Sequence, residues 1–208
     1  MLDYVNWFRH STPYINQHRD CTFVLLLPGE AMIHANFNNI IHDIMLLNSL
    51  GVRLVLVHGS RPQIEERLAL RGIRSQYHND LRVTDIDTLS CVIDAVGSLR
   101  IAIEARLCAH QSGSRLRVVS GNLVTAKPIG VVDGVDFHHT GEVRRIDRKA
   151  ITRHLDEQNI VLLSSLGYSP TGEAFNLACE DVATSVAVAL GADKLILFGE
   201  DTGIRDED

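Results

Sequence analysis

Four short stretches of the chain, residues 23–27, 54–57, 160–163 and 194–198, are runs of mostly consecutive apolar residues without polar alternation. Such runs are what strands buried on both faces of a parallel sheet require. Between them the apolar positions change to helical spacing. Phe37, Ile40, Ile41, Ile44, Leu47 and Leu50 form one stripe. Ile86, Leu89, Ile93, Val96, Leu99, Ile103 and Leu107 form a longer one, and Ile151 with Leu155 and Val182 with Val186 and Ala189 form two shorter ones. Helix punctuation falls at matching places: Asn36 as a cap with Gly51 as a stop, Thr84 with Asp87 as a capping box, Asp147 as a cap and Gly191 as a stop. After the strand at residues 54–57, Gly59 permits a tight turn, Pro62 suits a first helical position, Ile64 and Leu68 face inward, and Gly72 closes the helix.

Strand, glycine turn and helix therefore repeat, at Pro28-Gly29-Glu30-Ala31 and again at Gly59-Ser60-Arg61-Pro62. In a parallel sheet both turns lie at the carboxyl ends of the strands, where free helix N–H groups attract anions. One ligand can sit between two such turns; an ordinary strand-to-helix connection is the alternative. Residues 114–129 read as two short strands, 116–119 and 123–126, joined as a hairpin through Ser120-Gly121-Asn122, and residues 164–172 and 199–203 read as turn-rich loops. The expected fold is a doubly wound, mainly parallel α/β sandwich with about four parallel strands and an antiparallel flap. Because the chain stops soon after a strand, the reading adds that the fold is C-terminally truncated.

The first twenty residues carry Leu2, Tyr4, Val5, Trp7, Phe8 and Tyr14, with Pro13 expected to interrupt any single helix. So many large apolar groups need a surface, either their own domain or another subunit. Residues 1–20 are accordingly read as an aromatic segment with an oligomer contact, and 21–208 as one α/β domain.

Composition narrows the function. A net charge of −6 offers no basic patch for nucleic acid, and no apolar run reaches membrane-spanning length. Cys21, Cys91, Cys108 and Cys179 form no C-x-x-C pair, which fits buried free thiols in a reducing cytoplasm. Zinc spacing, a Gly-x-Ser-x-Gly elbow and a Walker A loop are all lacking, so neither metal nor acyl-serine chemistry is expected. Arg82, just before the long helix, can offer a planar fork to a carboxylate, or it can pair with a neighbouring acid.

Pro28-Gly29-Glu30-Ala31, Val57-His58-Gly59-Ser60-Arg61-Pro62-Gln63-Ile64, Leu81-Arg82-Val83-Thr84-Asp85, Gly141-Glu142-Val143 and the block from Asn176 to Gly203 occur in this order. Together they resemble the amino-acid kinase family. Phe8-Arg9-His10-Ser11, Pro13-Tyr14-Ile15-Asn16 and Arg144-Arg145-Ile146-Asp147 extend a closer resemblance, to the kinase-like N-terminal domain of bacterial N-acetylglutamate synthases, over nearly the whole chain. By that resemblance Gly29, Gly59 and Ser60 line the phosphate and substrate turns, and Arg82 and Asn176 grip acetylglutamate.

Departures from the kinase pattern separate the two kinds of member. Where kinases of this family place a lysine on the first strand, this chain reads Leu25-Leu26-Leu27-Pro28; the second and third glycines of the other turn are Ser60 and Arg61. The expected aspartate after the asparagine has become Glu180 or Asp181, and Lys127, Lys149 and Lys194, the only lysines, are near neither turn. Phosphoryl transfer depends on a positioned cationic clamp, for which Arg61 is only a partial substitute. The resemblance thus implies a regulatory module with no catalytic residue of its own and no cofactor in this chain. Its expected ligands are L-arginine and N-acetylglutamate, its expected assembly a homo-oligomer, dimer or higher. The parent would be a cytoplasmic enzyme transferring acetyl from acetyl-CoA to glutamate, in a further domain, as the first step of arginine biosynthesis. An active N-acetylglutamate kinase and a ligand-free dimerisation scaffold are the alternatives. Under each, the pocket residues are Gly29, Gly59, Ser60, Arg61, Arg82 and Asn176.

Overall fold

The computed structural model describes residues 2–109 and 116–199. In chain order the elements are α1 (Leu2–His18), β1 (Thr22–Leu27), α2 (Phe37–Ser49), β2 (Arg53–His58), α3 (Arg61–Leu70), β3 (Gln76–His78), β4 (Leu81–Val83) and α4 (Ile86–Cys108). They continue with β5 (Val118–Val119), β6 (Val124–Pro128), β7 (Val131–Val132), β8 (Val135–Asp136), β9 (Gly141–Ile146), α5 (Arg148–Asp156), β10 (Ile160–Ser164), β11 (Leu166–Tyr168), β12 (Ala174–Asn176), α6 (Cys179–Leu190) and β13 (Lys194–Leu197).

Five parallel strands in the order β13-β1-β2-β10-β5 form the main sheet. Side chains alternate across it, and β1, β2 and β10 are covered on both faces, which is why their interiors are apolar without a break; β13, expected to be buried, is instead largely exposed, with Leu197 56% accessible. On one face Phe23, Leu25, Leu27, Leu54, Leu56, Ile160 and Leu162 pack with α2 and with Ile103 and Leu107 of α4. On the other, Val24, Leu26, Val55, Val57, Val161 and Leu163 pack with Ile151 and Leu155 of α5 and with Val182, Ala183 and Val186 of α6. That second core also takes in a smaller sheet, β12-β11-β6-β9. Ile64 and Leu68 of α3 meet Cys91, Val92, Ala95 and Val96 of α4 in a third cluster. No helix among the described residues is long and apolar enough to cross a membrane.

Several expectations change. Residues 118–126 are not a hairpin: β5 is an edge strand paired in parallel with β10, whereas β6 pairs with β9 and β11 in the other sheet. Ser120-Gly121-Asn122 therefore carries the chain between sheets, and the parallel count is five. Residues 164–172 hold β11, and β3 with β4 form a hairpin turned by Asn79 and Asp80, whose φ angles are 49° and 61°. Asp85, not Thr84, caps α4, its carboxylate accepting the Thr88 N–H at 2.8 Å. Thr84 is buried and spends its hydroxyl elsewhere. Pro62 is the second residue of α3 rather than its first, and Asn36 precedes α2 without a side-chain cap bond. Pro13 lies inside α1 and does not end it, since an interior proline forfeits one ladder bond and the helix can continue around it. All four cysteines are free, but only Cys91 is fully buried; Cys21 and Cys179 are half-buried and Cys108 is exposed. The side chains of Tyr4, Trp7 and Phe8, together with Ser114 and residues 200–203, lie outside the described residues.

Candidate functional site

The carboxyl ends of β1 and β2 place the two glycine turns in direct contact. The Gly59 N–H donates to the Leu27 carbonyl at 2.8 Å, and Gln63 of α3 donates from Nε2 to the Gly29 carbonyl at 2.8 Å. A Cβ on Gly29 would lie 2.7 Å from both Gln63 Oε1 and Pro62 Cδ; one on Gly59 would lie 3.0 Å from Cys179 Sγ and 3.2 Å from the Gly29 nitrogen. Close approach of turn to turn, not an unusual backbone angle, is what demands glycine here.

A cavity of about 160 Å3 opens between these turns, the β3–β4 hairpin and the start of α6, and Gly29, Gly59, Ser60, Arg61, Arg82 and Asn176 all line it. The structure thus gathers all six candidate residues from four separate segments. Ser60 precedes α3 but does not cap it; its buried hydroxyl lies 3.3 Å from that of Ser165, which leaves the first N–H groups of α3 without a side-chain acceptor. Arg61 is exposed, its guanidinium 6.0 Å from the Tyr77 ring centroid.

Arg82 is only 7% exposed and is already engaged. Its Nη1 sits 2.8 Å from Glu65 Oε1 and donates to Ser75 Oγ, while its Cζ lies 4.8 Å from the Tyr77 ring centroid. Ser75 donates to the same carboxylate at 2.7 Å, and Tyr77 at 2.8 Å. Burial alone would push the Glu65 carboxyl up; the hydrogen bonds from Ser75, Tyr77 and Arg82 and the Arg82 charge outweigh it and hold it below the ordinary value. Burial, and next the bond to Glu65, raise the Tyr77 phenol. Glu65, Ser75 and Tyr77 carried no signal in the sequence, because they come from a polar helix face and a short hairpin.

A second network holds Asn176. Its Nδ2 donates to Thr84 Oγ1 at 3.1 Å, the Thr84 and Thr140 hydroxyls are 2.9 Å apart, and Thr140 donates to the Arg82 carbonyl. Asn176 and Arg82 are thereby fixed to one another through two buried threonines, neither of which was singled out as a site residue.

Charge in the cavity is net acidic rather than cationic. Arg61 and Arg82 face Glu30, Asp80 and Glu180, and Arg82 is further compensated by Glu65. None of Lys127, Lys149 and Lys194 lines it. Cys179 is no nucleophile: burial, and next the neighbouring Glu180 carboxylate, push its thiol up to about 12. Such a site can orient a small carboxylate through Arg82, Asn176 and the α3 N–H groups. It presents no cluster of cations for a triphosphate.

Residues 22–208 match the profile of the amino acid kinase family. An amino-acid acetyltransferase of Pseudomonas fluorescens (strain Pf-5) is 70% identical over 212 aligned residues, covering all of this chain and 49% of that protein. The crystal structure of N-acetylglutamate synthase from Neisseria gonorrhoeae complexed with coenzyme A and L-arginine superposes with a TM-score of 0.89 at 40% identity, over 97% of this chain and 49% of that one. Carbamate kinase from Giardia lamblia bound to AMP-PNP shares the fold, with a TM-score of 0.61 at 15% identity over 86% of this chain and 71% of that one. The chain spans about half the length of the curated relatives it matches.

Proposed function

The chain belongs to the amino acid kinase family, and from that premise we propose that it is the kinase-like regulatory domain of an N-acetylglutamate synthase. The whole protein would transfer acetyl from acetyl-CoA to L-glutamate in the cytoplasm. Arginine would bind this half and restrain the other, and the acetyl-transfer chemistry would lie outside this chain. The observation that carries the reading is a glycine-turn cavity that keeps Arg82 and Asn176 in fixed positions but contains no lysine. A lining with two arginines among carboxylates and no lysine fits a small amino-acid-like ligand held by Arg82, N-acetylglutamate included, better than the triphosphate of ATP. Identity of 70% to amino-acid acetyltransferases along the full chain supports the same conclusion. Residues 1–20 would contribute to contacts between subunits, and residues 21–208 would form the ligand-binding body.

Two measurements on the purified chain test this. Calorimetry with L-arginine is expected to give saturable heat, and a coupled assay with ATP and N-acetylglutamate is expected to give no ADP above background. ADP formation that depends on acetylglutamate would make the chain a working kinase instead. Absence of arginine binding both by the chain and by the whole protein would leave a scaffold. Acetyl-CoA turnover with glutamate by this chain alone would overturn the assignment of chemistry to the other half.

A further inference from the structure

The overall charge of −6 conceals one strongly cationic surface. Residues 144–153 hold five of the chain's 20 lysines and arginines and one of its 26 acids, so this stretch carries +4 and everything else sums to −10. Its five cations, Arg144 and Arg145 on β9 and Arg148, Lys149 and Arg153 on α5, are all exposed. Among the described residues none of the five has a carboxylate partner, whereas Arg53, Arg67, Arg71, Arg82, Arg100 and Lys127 each have one. The acid within the stretch, Asp147, uses its carboxylate to accept the Ala150 N–H as the cap of α5. A shallow recess on the outer side of α5 is lined by Arg148, Lys149, Thr152 and Arg153, and its one carboxylate, Asp156, is held by Arg53 at 2.8 Å.

Single exposed cations are ordinary, but these are presented against two local preferences. Val143 and Ile146 of β9 both pack into the core although they are three residues apart, which strict alternation along a strand does not allow. A bulge resolves the conflict: Thr125 of β6 pairs with Arg145 and Ala126 with Val143, which leaves Arg144 as the extra residue. Both arginines are thereby exposed. The second preference is that of α5. Its first turn contains no acid and begins with Arg148 and Lys149, cations at the helix end where the partial charge is already positive. A carboxylate brought from outside would relieve that repulsion.

Charge and connectivity select the occupant. A nucleic acid would run past so small a patch onto a surface of opposite sign, which repels phosphates; an acidic protein face can end where the patch ends. The chain spans about half the length of the curated relatives it matches, so the rest of such a protein is tethered nearby at high effective concentration. Ile151 and Leu155 of α5 pack with Val182 and Val186 of α6, whose first turn lines the glycine-turn cavity, so a partner docked here sits one helix away from that cavity.

We propose that the outer face of β9 and α5 docks an acidic face of the other half of the parent protein, its carboxylates meeting Arg144, Arg145, Arg148, Lys149 and Arg153. The inference rests on the reading of this chain as one half of a synthase, and it names the surface on which the other half sits.

Lys149 makes that surface testable, because a carbodiimide joins a lysine amine to a carboxylate only where the two touch. Carbodiimide treatment of the whole protein, followed by peptide mass spectrometry, is expected to give an amide between Lys149 and an aspartate or glutamate beyond residue 208. The yield should fall about fivefold or more between about 0.01 M and about 1 M salt, as the screening length drops from about 30 Å to about 3 Å. It should fall as far in the Arg145→Glu, Arg148→Glu double variant, with circular dichroism unchanged. No Lys149 product, products confined to residues 1–208, or a yield indifferent to salt would overturn the proposal. Retention of a DNA duplex that the double variant abolishes would give the surface to nucleic acid instead. Calorimetry of the same protein with L-arginine reports the regulatory reading separately: the Lys149 product without arginine heat would remove the regulation and leave the docking surface standing.

Discussion

Arg82 carries one guanidinium and is claimed by Glu65, Ser75 and Tyr77 before any ligand arrives. A ligand carboxylate must share the cation with Glu65, so the two substitutions should act in opposite directions. Arg82→Ala removes charge-assisted bonds worth about 1.5–3 kcal/mol and should weaken acetylglutamate binding tenfold or more. Glu65→Gln frees the fork and should strengthen it, read in the same calorimetric titration. Equal affinities for wild type and Arg82→Ala would leave the arginine a purely structural partner of Glu65. His58 makes a separate prediction, about acid. Folded, its ring is lowered by burial from the ordinary 6.5 to about 4, so between those values the unfolded chain binds more protons. Stability should thus rise with pH across that window, and the contribution should fade as pH falls from 6.5 toward 4. The size is about 2 kcal/mol between pH 7 and pH 5. Urea unfolding at both pH values checks it, and His58→Asn should remove that part of the difference. Local patterns pointed to Gly29, Gly59, Ser60, Arg61 and Arg82, since glycine turns and an arginine at a helix entrance have local causes, whereas Asn176 was reached only through the family resemblance. The clamp on Arg82 was not legible, because it depends on a hairpin whose strands are three residues each.

At the level of elements, what was legible followed from burial. β1, β2 and β10 are enclosed on both faces, and α2, α4, α5 and α6 bury regular stripes, so composition alone marks them. The Val118–Val119 strand was misread because two valines pair with Ile160 and Val161, some forty residues away, and nothing local announces that partner. The cap of α4 was misread for a related reason: Thr84 is a good capping residue, but its hydroxyl is taken by the Asn176 network. β9 offers a test of how tightly the second sheet holds this network. A Cβ on Gly141, its first residue, would lie 2.8 Å from the Lys127 carbonyl of β6 and 2.8 Å from Phe175 Cβ of β12. Neither atom is at the end of a flexible side chain. Gly141→Ala should therefore destabilise by about 1–3 kcal/mol. By moving the adjacent Thr140, it should also reduce ligand affinity at Asn176. Gly121→Ala, where a Cβ meets nothing within 4 Å, should change stability by less than about 0.5 kcal/mol. Matching unfolding midpoints for the two variants would refute the packing argument.

Among the described residues, two features on the outside of the main sheet have no partner. β5 is an edge strand of only two residues, with no further strand of the described residues on its far side. On α4, Ile86, Ile93 and Ile101 are 66%, 44% and 59% exposed, although they belong to a helix whose other apolar residues are largely buried. Single exposed isoleucines are ordinary, but three along one helix at spacings of seven and eight fall within one broad face. Apolar area of that kind is stabilised when a second copy covers it, and closed two-fold pairing is the commonest way for identical chains to do so. The expected outcome is a dimer by light scattering at about 10–50 micromolar, a range in which a typical specific interface is occupied. Ile101→Glu places a charge on that face without touching the lining of the glycine-turn cavity, and should shift the mass toward the monomer while leaving the circular dichroism unchanged. A wild-type chain that stays strictly monomeric across this range, or an Ile101→Glu chain as dimeric as wild type, would move the interface away from α4.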